Sequence, residues 1–237
     1  MKAIILAAGR GSRMNQFTAN SHKCLVKVNG ESLINLQLDA LYDAGITEIA
    51  LVTGYQRDLL KNYGDHEFYN SRWQKTNMVT SLSKADKWLK SEPCIVSYSD
   101  IFYSSLAIKP LINCSSYIAL MYDPNWLSLW KKRFSDPLID AETFKFDTEN
   151  KLTEIGNKPL SVSQIQGQYM GLLRFTPEGW NEISRIRKSL SNKDQDSMHM
   201  TATLQKVILA NRIYISVIPY LGKWGEVDTI NDLKLYQ

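Results

Sequence analysis

Apolar and polar positions alternate along this chain in two different periods. Near the start, Ala3-Ile4-Ile5-Leu6-Ala7-Ala8 is an unbroken apolar run that breaks abruptly into Gly9-Arg10-Gly11-Ser12-Arg13. A run of this length suits a strand buried on both faces, and it predicts a first strand over Lys2–Ala7. Ser32 then stands before a helical-period segment, Leu33–Ala44, as its N-cap, with Gly45 as the left-handed stop. The pattern continues with a strand over Glu48–Thr53, a short helix over Gln56–Asn62, and a helix capped by Asn77 and running to Leu89. Pro93 precedes a strand over Cys94–Ser99, and Ser116–Tyr122 reads as another.

The second half changes character. Phe144–Asp147 and Lys151–Ile155, separated by Thr148-Glu149-Asn150, predict a hairpin. Gln168–Phe175 reads as a strand, Pro177 opens a helix, and Thr201–Ala210 is another helix. Ile213–Pro219 and Trp224–Val227 are late strands, with a last helix over Ile230–Tyr236. Alternation of strand and helix implies an α/β, Rossmann-like, mostly parallel sheet flanked by helices, with ligands beyond the carboxyl ends of the strands. No repeat, low-complexity tract or linker interrupts the chain. The expectation is one domain over residues 1–237, with about 123–158 as a lid-like insertion over the site.

Composition narrows the function. The 237 residues carry a net charge of +4, and the only tight basic clusters are Lys131-Lys132-Arg133 and Arg185, Arg187, Lys188. That excess is too small and too scattered for a nucleic-acid footprint. Cys24, Cys94 and Cys114 show no C-x-x-C spacing, which fits free thiols in a reducing compartment. The first apolar run is too short for a signal segment, and no stretch approaches membrane-spanning length. The expected location is the cytoplasm; oligomeric state is left open.

A strand that ends in a glycine-rich basic loop is suited to phosphate. Successive backbone N–H groups in such a turn form an anion-binding concavity, and arginine adds forked donors. The dinucleotide fingerprint is excluded because Met14 stands where its third glycine would be, and the Walker pattern is absent. What remains is G-x-G-S-R-M, followed by Lys23 in His22-Lys23-Cys24-Leu25-Val26. This resembles the signature of the nucleotidyltransferase family that makes NDP-sugars and CDP-alcohols, L-A-A-G-x-G-[ST]-R-[LM] followed by P-K-x-L. Here His22 replaces the proline and the lysine is kept. The resemblance implies that Ala7, Ala8, Gly9, Gly11 and Ser12 cradle the nucleotide phosphates, while Arg13 and Lys23 neutralise charge during catalysis.

Joining two anionic partners calls for a cation, and Mg²⁺ is commonly held by one or two carboxylates plus substrate phosphates. Asp100 follows the strand in Ser97-Tyr98-Ser99-Asp100, and Asp228 lies in Trp224-Gly225-Glu226-Val227-Asp228-Thr229. Their places resemble the family's two metal aspartates. Asp196 has a weaker claim as a supporting acid. The segment Lys75-Thr76-Asn77-Met78-Val79-Thr80-Ser81-Leu82 resembles the floor of the nucleobase pocket in the cytidylyltransferase branch, which implies base reading by Asn77 and Ser81.

For the acceptor, Trp126, Trp130, Arg133 and Tyr169 are the candidates. Aromatic faces beside Asp136, Asp140 or Glu142 would hold a quaternary ammonium, whereas Lys131, Lys132 or Arg133 would meet a carboxylate. Trp126 and Trp130, at i and i+4, also fit a buried helix face. Several stretches, including Glu154-Ile155-Gly156-Asn157-Lys158-Pro159, resemble bacterial phosphocholine cytidylyltransferase-like proteins, and Lys158 matches the lysine that meets the acceptor phosphate. The resemblance implies a Mg²⁺-dependent cytidylyltransferase that joins CTP to phosphocholine, an aminoalkyl phosphonate or phosphoglutamine, releasing pyrophosphate. A sugar-1-phosphate nucleotidyltransferase and a non-catalytic nucleotide-sensing domain are the alternatives.

Overall fold

The computed structural model describes residues 1–236, and their side chains apart from those of 15–17. Its first strand, β1 (Lys2–Ala7), has the bounds expected of its apolar run, with Ile4 and Ile5 fully buried. The helix α1 (Leu33–Asp43) begins where the Ser32 hydroxyl accepts the Asn35 N–H at 3.3 Å. It ends at Gly45, whose φ of +89° is strained for any residue with a Cβ. Buried on α1, Gln37 donates from Nε2 to the carbonyls of Tyr98 (2.9 Å) and Ile101. That fastens the helix to the segment that carries Asp100.

The chain continues through β2 (Ile49–Thr53), β3 (His66–Tyr69), α2 (Met78–Leu82), α3 (Asp86–Ser91), β4 (Cys94–Tyr98) and α4 (Ser105–Asn113). Then come β5 (Ile118–Asp123), α5 (Trp126–Arg133), β6 (Gln168–Phe175), α6 (Pro177–Lys188) and α7 (Asn192–Ser197). The last elements are α8 (Met200–Ala210), β7 (Ile215–Pro219) and α9 (Ile230–Lys234). The seven strands form one sheet in the order β7-β5-β6-β4-β1-β2-β3. Neighbours are parallel except on either side of β6, which runs antiparallel to both β4 and β5. Phe144–Phe146 and Leu152–Ile155 make the expected hairpin, and Gly225–Glu226 pairs with Ile101–Phe102.

Several elements differ from expectation for identifiable reasons. The helix expected from Asn77 to Leu89 breaks into α2, a 3₁₀ turn over Ser83–Ala85, and α3. Ser83 bonds back to the Thr80 carbonyl at 2.7 Å, a contact that competes with regular helix. The polar edge strand β3 has no apolar alternation to announce it, and α4 contains Pro110, which normally argues against a helix interior. Gln56–Asn62 is reduced to a 3₁₀ turn over Arg57–Leu60, entered through Gln56 at φ +46°.

The core lies on both faces of the sheet, and α6 closes one of them. Gly179 of α6 faces β5 so tightly that an added Cβ would press into the Tyr117 carbonyl. Alanine is favoured over glycine in a helix by about 1 kcal/mol, but overpacking against backbone costs roughly 1–3 kcal/mol. Gly179→Ala is therefore expected to lower stability on balance, and urea denaturation measures the sign.

Candidate active site

The carboxyl ends of β1 and β4 open into a cleft of about 430 Å³. One wall is the loop after β1 (Ala8, Gly9, Gly11, Ser12, Arg13), and another is Tyr98, Ser99 and Asp100. Trp73, Thr76, Asn77 and Ser81 close the far end, with Lys23 and Asp228 beside the loop. Ala7 is fully buried beneath the loop and does not line the cleft.

Lys23 is the centre of charge. It sits in a 3₁₀ turn whose N-cap is His22; the imidazole Nδ1 accepts the Cys24 N–H at 3.3 Å. Burial pushes the His22 ring down to about 4, so it is neutral and free to accept. His22 thereby stiffens the turn in place of proline. The Lys23 ammonium, only 7% exposed, donates to Asp100 Oδ2 at 2.7 Å and to Asp228 Oδ1 at 2.5 Å. Burial alone would lower its pKa, but the two carboxylates outweigh burial and hold it above the ordinary lysine value. Arg13 pairs with the other Asp228 oxygen and lies 3.9 Å from Asp140.

Gly11 makes this arrangement possible. Its φ is +63°, and a Cβ there would stand 2.8–2.9 Å from the Lys23 side chain. Both the backbone conformation and the close approach require glycine.

Asp228 is itself held by a buried network. Asp232 Oδ2 accepts the N–H groups of Asp228 (3.0 Å) and Thr229 (2.8 Å), while Oδ1 accepts from Arg133 Nε at 2.8 Å. Arg133 also donates to Glu226 at 2.7 Å, and its side chain is 1% exposed. Burial, with Asp100 and Asp228 nearby, pushes Glu226 up to about 7 against the pull of Arg133.

At the far end, Asn77 Oδ1 accepts the Met78 N–H at 2.7 Å and Nδ2 lies 3.0 Å from His199 Nε2. Ser81 Oγ accepts from Asn70 Nδ2 at 3.0 Å. The same Asn70 amide donates to Thr76 Oγ1 at 2.9 Å, so one fully buried side chain sets two hydroxyls on the floor.

A second cleft of about 190 Å³ adjoins the first and shares Arg13, Met78, Tyr98 and Asp228 with it. Asp140, Glu142 and Glu226 make it acidic, and Tyr98, Tyr169 and Trp224 supply aromatic surface. Burial raises the pKa of both Asp140 and Glu142.

The structure thus brings Arg13, Lys23, Asp100 and Asp228 together and puts Asn77, Ser81 and Tyr169 on cleft walls. Besides Ala7, five candidates are not there. Trp126 and Trp130 are 3% and 1% exposed and line neither cleft, because their i, i+4 face packs into the core. Arg133 is consumed by Asp232 and Glu226 and stacks 4.7 Å from Trp130, so it has no free donor face for a ligand. Lys158 lines neither cleft and donates to the carbonyls of Leu138 and Ile139 (3.0 Å). Asp196 pairs with Arg72. Asn70, Trp73, Tyr98, Asp232 and His199 were not anticipated; only the place of Tyr98, two residues before Asp100, offered a signal.

The first cleft thus lies at the carboxyl ends of the parallel neighbours β1 and β4 and gathers a glycine–arginine loop, a buried lysine and two aspartates. The chain belongs to the MobA-like NTP transferase domain family, whose profile matches residues 3–138. It is 38% identical to the CTP:phosphoglutamine cytidylyltransferase of Campylobacter jejuni over 251 aligned residues, covering 99% of this chain and 98% of the relative. Similarity to the choline-phosphate cytidylyltransferase of Streptococcus pneumoniae reaches 43% identity, over 86 residues covering 35% of this chain and 38% of that one. In fold it matches the inositol-1-phosphate CTP transferase of T. maritima with a TM-score of 0.78, at 21% identity, over 99% of this chain and 93% of that one. Among the described residues, no helix is long and apolar enough to cross a membrane.

Arg133→Ala tests the buried network. Removing one partner of a buried ion pair costs about 3–5 kcal/mol, so the variant is expected to lose stability of that order in urea unfolding. A change confined to acceptor affinity would contradict the structural role.

Proposed function

We propose that this protein transfers the cytidylyl group of CTP to phosphorylated glutamine. It is a CTP-dependent cytidylyltransferase acting on a small phosphorylated acceptor; the acceptor's identity and the roles of individual residues are the proposal. The observation that carries it is the second, acidic cleft, which meets the nucleotide cleft at Arg13 and Asp228. An acceptor there presents its phosphate to the loop and an ammonium group to Asp140 and Glu142. Similarity along the whole chain to a phosphoglutamine enzyme favours the amino-acid acceptor.

The reaction is an in-line displacement. An acceptor phosphate oxygen bonds to the α-phosphorus of CTP, the bond to the bridging oxygen breaks, and pyrophosphate leaves. No protein nucleophile is needed; positioning and charge neutralisation supply the catalysis. The amides of Gly9–Ser12 and Arg13 bind the triphosphate, and Lys23 meets the charge that grows at the α-phosphate. Asn77 and Ser81 meet the base. Residues 123–158, which carry Asp140 and Glu142, act as a lid on the acceptor.

Asp100 and Asp228 fit a magnesium ion. Oxygens of both contact one ammonium, and Asp100 Oδ1 is buried without a hydrogen-bond partner among the described residues. Two carboxylates suit an ion that keeps waters and substrate phosphates as its other ligands. When bound, it would neutralise triphosphate charge. Free cysteines at 24, 94 and 114 fit a cytoplasmic location.

A second reading has its own support. Tyr98, Tyr169 and Trp224 offer faces for a quaternary ammonium, so phosphocholine is the rival acceptor. Pyrophosphate release is to be measured for CTP, UTP, ATP and GTP against phosphoglutamine, phosphocholine, 2-aminoethylphosphonate and glucose 1-phosphate. The highest kcat/KM is expected for CTP with phosphoglutamine; a higher value for phosphocholine overturns the acceptor, and one for a sugar phosphate overturns the branch. Lys23→Ala is expected to lower kcat by about 10²–10³, with a smaller change in KM for CTP. Glu142→Gln should raise KM for the acceptor and leave that for CTP unchanged in initial-rate kinetics.

A further inference from the structure

His199 stands between the two clefts. Its ring lines the acceptor cleft beside Met200 and Thr201, and it also touches Asn77, which lines the nucleotide cleft. The Asn77 carboxamide cannot flip without loss, because Oδ1 caps α2 through the Met78 N–H. Nδ2 must therefore face the imidazole, with ring nitrogens 3.0 and 3.1 Å away. Imidazole lone pairs point outward in the ring plane, so nearly equal distances to both nitrogens place Nδ2 over the face of the ring. The ring backs the carboxamide by contact and leaves its N–H groups directed at a ligand.

The segment around His199 is tied to both sides. The Asn77 N–H donates to the Asp196 carbonyl at 2.7 Å, and Thr80 Oγ1 to that of Gln195 at 2.9 Å. On the acceptor side Thr201 Oγ1 approaches Glu142 at 3.4 Å. An acceptor seated against this wall bears on the same ring that orients Asn77.

We propose that His199 is a positioning residue that couples the two substrates: it aims the Asn77 N–H groups at the pyrimidine, and an acceptor in the second cleft fixes that aim. This rests on Asn77 reading the base. Acceptor binding then tightens CTP binding and sharpens its preference over UTP, and by linkage CTP tightens the acceptor equally.

The test is calorimetric. Dissociation constants are measured for CTP and UTP analogues carrying a methylene in place of the α,β-bridging oxygen, with and without saturating phosphoglutamine. The wild-type protein should bind the CTP analogue about fivefold or more tightly when phosphoglutamine is present, a typical coupling. His199→Ala should abolish that factor and lower the CTP-over-UTP ratio. His199→Phe, whose ring can back the Asn77 carboxamide in the same way, should restore both; its melting temperature shows that the fold is kept. No coupling in the wild type, or equal coupling in His199→Ala, overturns the proposal. Asn77→Ala separates the two levels. If it abolishes base selectivity while His199→Ala keeps the coupling, only the role of His199 falls. If it leaves selectivity unchanged, base reading by Asn77 falls and the proposal falls with it.

Discussion

One ammonium group between two carboxylates organises this molecule. Asp100 and Asp228 lie 77 and 205 residues from Lys23 in sequence, so three distant stretches of chain converge on one buried cation. Each of the three would be costly to bury alone, because an isolated charge in a poorly solvated site is strongly disfavoured. With Arg13 as the second cation they balance one another, but only if the stretch after β1, the end of β4 and the segment after Gly225 arrive together. Correct folding of the sheet and assembly of the site are thus one requirement.

The supports around that centre follow the same logic. Gly11 lets the loop pass over the lysine stem without a Cβ between them. Asp232 and Arg133 fix the backbone at Asp228, and Gln37 ties α1 to the strand end before Asp100. These groups sit behind the reacting surface, and their value lies in holding charged side chains that would otherwise repel or drift.

Local signals made much of this readable in advance. β1 and β6 have their expected bounds because uninterrupted apolar or alternating runs leave one backbone solution. The serine cap and glycine stop fixed α1 for equally local reasons. The polar strand β3 and the proline-bearing α4 depend on what packs beside them, which no short window contains. The direction of β6 relative to its neighbours is likewise a property of the whole sheet. At the site, the loop, Lys23, Asp100 and Asp228 could be singled out because their motifs resemble the family signature, and the structure brings them together. The i, i+4 spacing of Trp126 and Trp130 already allowed the buried helix face that the structure shows, whereas Arg133 was not legible, since an arginine at a helix end gives no sign of whether it turns inward. Only the three-dimensional arrangement shows that Arg133 spends its donors on Asp232 and Glu226.

The reversed strand has an architectural consequence. Because β6 is antiparallel, its first residue, Gln168, pairs with Asp123, the last residue of β5. Residues 124–167 therefore leave the sheet and return to it at neighbouring positions on the rim. Such an excursion can be lengthened, shortened or exchanged while every strand keeps its partners. The lining of the first cleft lies outside it, whereas Asp140 and Glu142 of the second lie within. Change within this excursion that spares Arg133, the anchor of Asp232, could thus reshape the acidic end of the second cleft while the strands that frame the first cleft keep their places.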